Sequence, residues 1–273
     1  MIAAMIDEFK RSLAKVLVHE GGKVDNKNDP GGRTNQGVIQ RTYDAWRRRK
    51  GLKTRDVFLM TNDERDDIYY GQYWELIKGD RLAPGVSYVV FDGAVNSGVS
   101  QSVKWLQRAL GVKADGVIGN ETISALHSNQ DHDRLIARIL ELRMAFLKAL
   151  TTWKHFGKGW TARVNGVRSV GQAWAMGSVG PEVQFVPNGN QRANITDAKK
   201  PPATGPADAS TGAGSISVVI SQTTEQLTPL TNIEFVANAV AVLTIAGAAL
   251  AIGGIAYRVW AKRRAAELKE ALA

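Results

Sequence analysis

Twenty-three consecutive residues, Phe235 to Tyr257, carry no charge and are mostly Ala, Val, Leu, Ile and Gly. At about 1.5 Å of rise per residue, a helix of that length matches a hydrocarbon core of roughly 30 Å. The run is read as one C-terminal transmembrane helix within 232–260, the competing reading being a helix buried in a protein core. A basic tail, 261–273, follows it. Arg258, Lys262, Arg263 and Arg264 stand after the run, and Glu225 and Glu234 before it. That asymmetry places the C-terminus on the cytoplasmic side. The first eighteen residues contain Asp7, Glu8, Lys10 and Arg11, so no signal peptide is expected.

The rest of the chain is uneven in composition. Residues 177–230 are rich in Pro, Gly, Ser, Thr and Ala, with Phe185 as their one aromatic side chain. They lack the apolar periodicity that offsets chain entropy, so 176–231 is expected to be a flexible linker. There is no cysteine, which excludes disulfides and thiolate metal sites. The four histidines, His19, His127, His132 and His155, show no metal-ligand spacing, and no metal or organic cofactor is expected. The formal net charge is +9, and Arg41, Arg47, Arg48, Arg49, Lys50, Lys53 and Arg55 cluster. Such a cluster suits a polyanionic partner or is a solvated helix face, and nucleic acid is not the expected partner.

Residues 1–175 read as a mainly helical body. Ile6, Phe9, Leu13, Val16 and Leu17 recur at three- and four-residue steps, and Gly21-Gly22 stops that helix after Glu20. The polar stretch Lys23 to Gln36 reads as a small β-hairpin or an irregular loop, with preference for the hairpin. Further helices are predicted at about 39–50, from Thr61 and Glu64 through Trp74, and at 86–97, 99–110, 119–128 and 132–150. Thr61 and Glu64 have the spacing of a capping box.

Glu20 ends the apolar stripe of the first helix, at the negative end of its dipole. Partial burial and that dipole both disfavour the charged carboxylate, which suits a group that must donate a proton to a glycosidic oxygen. Asp29, in a polar turn before Pro30, suits an ionised partner that handles water, and Thr34 could hold that water. Each also has an ordinary explanation: a helix-end surface carboxylate, a turn residue and a cap.

The string His19-Glu20-Gly21-Gly22, followed by Asn28-Asp29-Pro30-Gly31-Gly32-Arg33-Thr34-Asn35-Gln36-Gly37-Val38, resembles the signature of glycoside hydrolase family 108. Members of that family look like N-acetylmuramidases of phage endolysins and bacterial secretion activators. The resemblance continues through Tyr69 to Trp74 and Phe91 to Gly98. Trp105 to Gly111, Asp115 to Gly119 and Gly157 to Arg163 are similar to the peptidoglycan-binding half that accompanies the family. It covers about residues 10–170.

The resemblance implies a lysozyme-like α+β fold with a small β-hairpin, mainly α, to which the transmembrane helix is added. It divides the body into a catalytic part, 1–98, and a peptidoglycan-binding-like part, 99–175, packed with it. Glu20 would be the general acid, with Asp29 and Thr34 as its catalytic companions. Asn35 and Gln36 are substrate-binding candidates from the same string. Tyr70, Tyr73 and Trp74 either stack on sugar rings or fill the core. Asp92 and Asn96, at i and i+4, either line the cleft or form a buried polar pair. His19 either touches Glu20 or lies at the surface. The family commonly has an aromatic residue after Glu-Gly-Gly, and here Lys23 stands there.

The expected activity is cleavage of the β-1,4 bond between N-acetylmuramic acid and N-acetylglucosamine, with peptidoglycan glycan strands and the inner-membrane bilayer as partners. The expected setting is a membrane-tethered phage or prophage endolysin in the host bacterium, a single-pass inner-membrane protein with its catalytic domain in the periplasm. Other readings are a non-catalytic wall-binding membrane protein, a lytic transglycosylase and a secretion-assisting protein. Oligomeric state has no signature in the sequence, and whether the reaction retains or inverts the anomeric centre depends on the carboxyl separation.

Overall fold

A computed structural model describes residues 2–25, 32–203 and 234–273, with side chains over 8–25, 32–203 and 252–273. Two compact units divide the chain, residues 1–198 and 199–273. The first contains eight α-helices among the described residues: α1 (Ile2–Glu20), α2 (Gln40–Arg49), α3 (Asn62–Tyr69), α4 (Val86–Ser97), α5 (Val99–Leu110), α6 (Asn120–Ser128), α7 (His132–Lys148) and α8 (Trp153–Ala175).

Helix α4 is the centre of this unit. Every residue from Val86 to Asn96 is buried, so the helix is enclosed all round. Helices α1, α5, α7 and α8 all pack against it. Phe9, Trp74 and Phe91 meet on one side, and Trp105 packs edge-on against Phe146 on the other. The two halves suggested by the sequence therefore share one core.

Helix α3 opens with the capping box that Thr61 and Glu64 predict, Thr61 accepting from the Glu64 N–H and Glu64 from the Thr61 N–H. Glu64 also accepts from Tyr43, Arg47 and Arg55. Lys50 pairs with Asp67 at 3.0 Å. About half of the basic cluster thus pins α2 to α3, while Arg41, Arg48, Arg49 and Lys53 remain exposed.

The polar segment after Glu20 forms a three-stranded antiparallel sheet, β1 (Lys23–Asp25), β2 (Arg33–Asn35) and β3 (Val38–Ile39), one strand more than a hairpin. Val24 pairs with Thr34, and Thr34 with Ile39. Gln36 and Gly37, between β2 and β3, have φ of +46° and +77°. Two left-handed residues match the twist of a tight hairpin.

Helix α8 has no counterpart in the periodicity reading. Gly157, Gly159, Gly166 and Gly171 lower its intrinsic helix propensity. Its buried stripe is nonetheless helical in spacing: Trp160, Arg163, Val164, Val167, Val170 and Trp174.

Residues 179–198, which composition assigns to the linker, return along the body. Trp174 Nε1 donates to the Val179 carbonyl, Trp160 Nε1 and Asn96 Nδ2 to that of Gln191, and the Ala193 N–H to that of Asn96. Three polar side chains buried in the body find their acceptors on this strap, which explains how so polar a sequence docks. The last part of the assigned linker, 204–231, lies outside the described residues.

The second unit contains α9 (Glu234–Leu272), a helix of 39 residues. The expected transmembrane helix, with its bilayer partner and inner-membrane location, is corrected here. Among the described residues no helix is long and apolar enough to cross a membrane. The uncharged run continues without a break into Arg258, Lys262, Arg263, Arg264, Glu267, Lys269 and Glu270.

At Gly159 the backbones of α8 and the strap lie close together. A Cβ there would stand 2.6 Å from the Pro187 carbonyl oxygen and 2.9 Å from the Gly189 nitrogen, both backbone atoms. Gly159→Ala gains about 1 kcal/mol in helix propensity but must displace the strap. We expect a net loss of roughly 1–2 kcal/mol in urea unfolding, with faster amide exchange confined to residues 186–193.

Candidate active site

Helix α1 ends at Glu20, and the C-terminal turn carries the carboxyl inward so that the residue is 7% exposed. Arg163, from α8, donates from Nη1 to Glu20 Oε1 at 3.1 Å. Its Nε and Nη2 bind Asp92 Oδ2 at 2.9 and 2.8 Å, and Nη1 also reaches the Gly189 carbonyl at 3.1 Å. Arg143, from α7, donates to Asp92 Oδ1 at 2.7 Å and to Asn96 Oδ1 at 3.3 Å. Arg143, Arg163 and Asp92 are at most 1% exposed. Burial alone would raise the Asp92 carboxyl, but Arg163 and Arg143 outweigh it and hold it well below the usual carboxylate range. The closed set has two guanidiniums, one firmly ionised carboxylate, and Glu20.

The β2–β3 turn forms the other side of Glu20. A Cβ at Gly37 would collide with the Tyr69 hydroxyl and lie 2.8 Å from Glu20 Oε2, so both φ and space select glycine. Tyr69 donates to the Gln36 carbonyl at 2.9 Å. Burial, then the nearby Glu20 carboxyl, push the Tyr69 phenol up, keeping it a donor. Arg192, from the strap, brings Nη2 to 3.8 Å from Glu20 Oε2 and sets its guanidinium over the Tyr73 ring. Beside this group opens a cleft of about 360 Å³, whose walls include Gly37, Tyr69, Gln72, Tyr73, Asn96 and Arg192.

The structure sorts the residues expected from sequence. Glu20 stands behind the cleft lining, against Gly37 and 3.8 Å from Arg192, and Tyr73 and Asn96 line the cleft. Asp29 lies outside the described residues. Thr34 is half-buried on β2, its hydroxyl 3.4 Å from the Gly32 carbonyl. Asn35 is buried and donates to the Val57 carbonyl, tying the sheet to the following turn. Gln36 accepts from Arg65 through its side chain and from Tyr69 through its carbonyl, so it serves the scaffold. Tyr70 and Trp74 both donate to Asp80 and pack on Phe9, and Trp74 is fully buried, out of reach of a glycan. Asp92 is enclosed and acts only through Arg163 and Arg143. Lys23 is exposed, with its ammonium 5.8 Å from the Phe58 ring centre.

His19 belongs to neither expectation. It is 1% exposed, and neither ring nitrogen has a hydrogen-bond partner among the described residues. Burial lowers its pKa to about 4; Asp92 opposes this, and Arg163 and Arg143 reinforce it. Periodicity missed Arg143, Arg163 and Arg192 as site residues. Arg163 has a visible signal, its place on the Trp160–Trp174 stripe, where a charge on a buried face demands a partner. Arg192 has none, because a strap shows no period.

Two stability predictions follow from this cluster. Asp92→Asn leaves Arg143 and Arg163 buried with only Glu20 between them. Breaking such a set costs about 3–5 kcal/mol, read as a lower urea midpoint at unchanged slope. His19 is neutral when folded and titrates near 6.5 when unfolded, so the unfolded state binds the extra proton between about pH 6.5 and 4. Its contribution is complete above pH 6.5 and is lost as pH falls to about 4, to a total of roughly 3 kcal/mol. His19→Leu should flatten that part of the stability–pH curve.

Residues 13–98 match the family described as Glycosyl hydrolase 108, and residues 101–165 the one described as Predicted Peptidoglycan domain. SagA of Brucella abortus is similar in structure, with a TM-score of 0.54 and 41% identity, over 61% of this chain and 95% of SagA. No curated protein is significantly similar in sequence. A buried helix-end carboxyl, a short sheet and a cleft, on a chain that matches both domains in order, lead to one assignment: the chain belongs to glycosyl hydrolase family 108 and is a peptidoglycan hydrolase, a glycoside hydrolase of the N-acetylmuramidase kind.

Proposed function

We propose that the chain cleaves the β-1,4 bond between N-acetylmuramic acid and N-acetylglucosamine, with Glu20 as the acid that protonates the leaving oxygen. The observation that carries this reading is the setting of Glu20. Its carboxyl is nearly closed to bulk water, lies directly behind Gly37 and Arg192 of the cleft lining, and is held by Arg163 from 143 residues away in sequence. A fixed guanidinium does two things for a proton donor. It sets the direction of the carboxyl, and it meets the carboxylate that forms as the proton leaves. Because Asp92 is already ionised, the second buried cation of the set has no other anion to balance it. The charge that develops on Glu20 therefore arises where positive charge is already organised.

Asp29 is the proposed partner that handles water on the opposite face of the sugar, with the Thr34 hydroxyl assisting it. Both roles come from the family resemblance. Tyr73 offers a ring for a sugar face, and Gln72 an amide for hydroxyl or N-acetyl groups. Arg163, Arg143 and Asp92 are positioning residues that act through Glu20. The endolysin setting, phage or prophage, belongs to the same proposal and rests on the resemblance alone.

The test is muropeptide analysis of purified peptidoglycan digested by the full chain, wild type beside Glu20→Gln. Wild type should release fragments ending in reducing N-acetylmuramic acid, and Glu20→Gln should lower the rate by at least about a hundredfold while keeping its fold. Fragments with anhydro ends would identify a transglycosylase, and products undiminished in Glu20→Gln would remove Glu20 from the chemistry.

A further inference from the structure

Arg192 is one of the residues that enclose the cleft, and among the described residues it is the one charged side chain there. The other walls are neutral: tyrosines, aliphatic side chains, and the amides of Gln72, Asn96 and Asn194. The side chain is 36% exposed, against 4% for Glu20. Its position is fixed by its neighbours. The Gln191 carbonyl accepts from Asn96 and Trp160, the Gly189 carbonyl accepts from Arg163, and Ala193 is fully buried with its N–H on the Asn96 carbonyl. Residues on both sides of Arg192 are therefore anchored, and the guanidinium is held over Tyr73 in the cleft lining.

Glu20 and Tyr73 satisfy this cation only in part. Arg192 stands 3.8 Å from Glu20 Oε2, whereas Arg163 hydrogen-bonds the other oxygen at 3.1 Å. A substrate entering the cleft covers Arg192. A neutral sugar would then strip water from a guanidinium and give it no anion in return, which is unfavourable. A substrate carrying a carboxylate removes that penalty and adds a charge-assisted, potentially bidentate contact.

We propose that Arg192 is a specificity residue that binds a carboxylate on the substrate, selecting acidic glycan over neutral N-acetylglucosamine polymer. The carboxylate comes from the lactyl ether of N-acetylmuramic acid or from the peptide attached to it. The inference rests on the reading of the cleft as the peptidoglycan site.

The test uses the full chain carrying Glu20→Gln, with and without Arg192→Gln, and measures affinity for three soluble oligosaccharides. These are a peptide-bearing peptidoglycan tetrasaccharide, its peptide-stripped form with free lactyl carboxylates, and an N-acetylglucosamine tetramer. Arg192→Gln should weaken binding of a carboxylate-bearing fragment about tenfold and leave the neutral tetramer unchanged, with Arg192→Lys recovering part of the loss. Loss on the peptide-bearing fragment alone assigns the contact to the peptide, and loss on the stripped fragment assigns it to the lactyl group. Equal loss on all three, no loss, tighter binding, or no measurable binding of any fragment before Arg192 is changed overturns the proposal; tighter binding would make the strap a block on the site. Wild type that releases no products, while these affinities still depend on Arg192, would instead count against the hydrolase reading.

Discussion

Everything around Glu20 depends on one buried guanidinium. Arg163 spans three parts of the chain that are far apart in sequence: Glu20 at the end of α1, Asp92 in the middle of α4, and Gly189 on the strap. Removing a charge of this kind from water costs several kcal/mol, and it is offset by the paired carboxylates of Asp92 and Glu20. The cost is therefore also a constraint. Helix α8 cannot rotate, α4 cannot slide and the strap cannot lift without leaving part of that charge uncovered. Arg143 repeats the arrangement from α7 and fixes the far oxygen of Asp92. The orientation of the Glu20 carboxyl is thus set by the helical core, and the short sheet adds the Gly37 turn from the other side.

This arrangement explains why the two matched domains behave as one body. The glycosyl hydrolase match ends at residue 98, and the peptidoglycan-domain match covers 101–165. Yet the side chains that hold Glu20 and Asp92 come from α7 and α8, inside the second match. The strap beyond residue 175 adds Arg192 and the carbonyls that accept from Asn96, Trp160 and Arg163. A chain cut after α8 would keep every predicted catalytic residue and lose one wall of the cleft.

Much of the fold could be read from local pattern. The three- and four-residue apolar steps of α1, α5 and α7, the Thr61–Glu64 cap and the Gly21-Gly22 stop are short-range signals, and the helices stand where those signals put them. Helix α8 was hidden because its glycines serve close packing and look locally like breakers. Glu20 was singled out by the string His19 to Val38 around it, because a carboxyl at the end of an apolar stripe alone also reads as an ordinary surface group. Asp92 stood open between cleft and burial, and the deciding groups, Arg143 and Arg163, are 51 and 71 residues further on. Trp74 and Tyr70 share the helical spacing of core aromatics, and Asp80 takes both of their polar ends inward. The strap reads as linker because its attachment runs through its backbone carbonyls, to which composition is blind. The uncharged run near the C-terminus suggested a membrane span from its length, its apolar composition and its basic flank, and the helix that contains it runs on into a charged stretch from Arg258.

The most direct measurement is a crystal structure of the full chain carrying Glu20→Gln, in complex with a peptidoglycan tetrasaccharide. The account predicts the oligosaccharide in the cleft between Tyr73 and the β2–β3 turn, with a glycosidic oxygen about 3 Å from the side chain at position 20 and Arg163 still bound to Asp92. A glycan bound elsewhere, with position 20 still enclosed and no sugar oxygen in reach of it, would contradict the account.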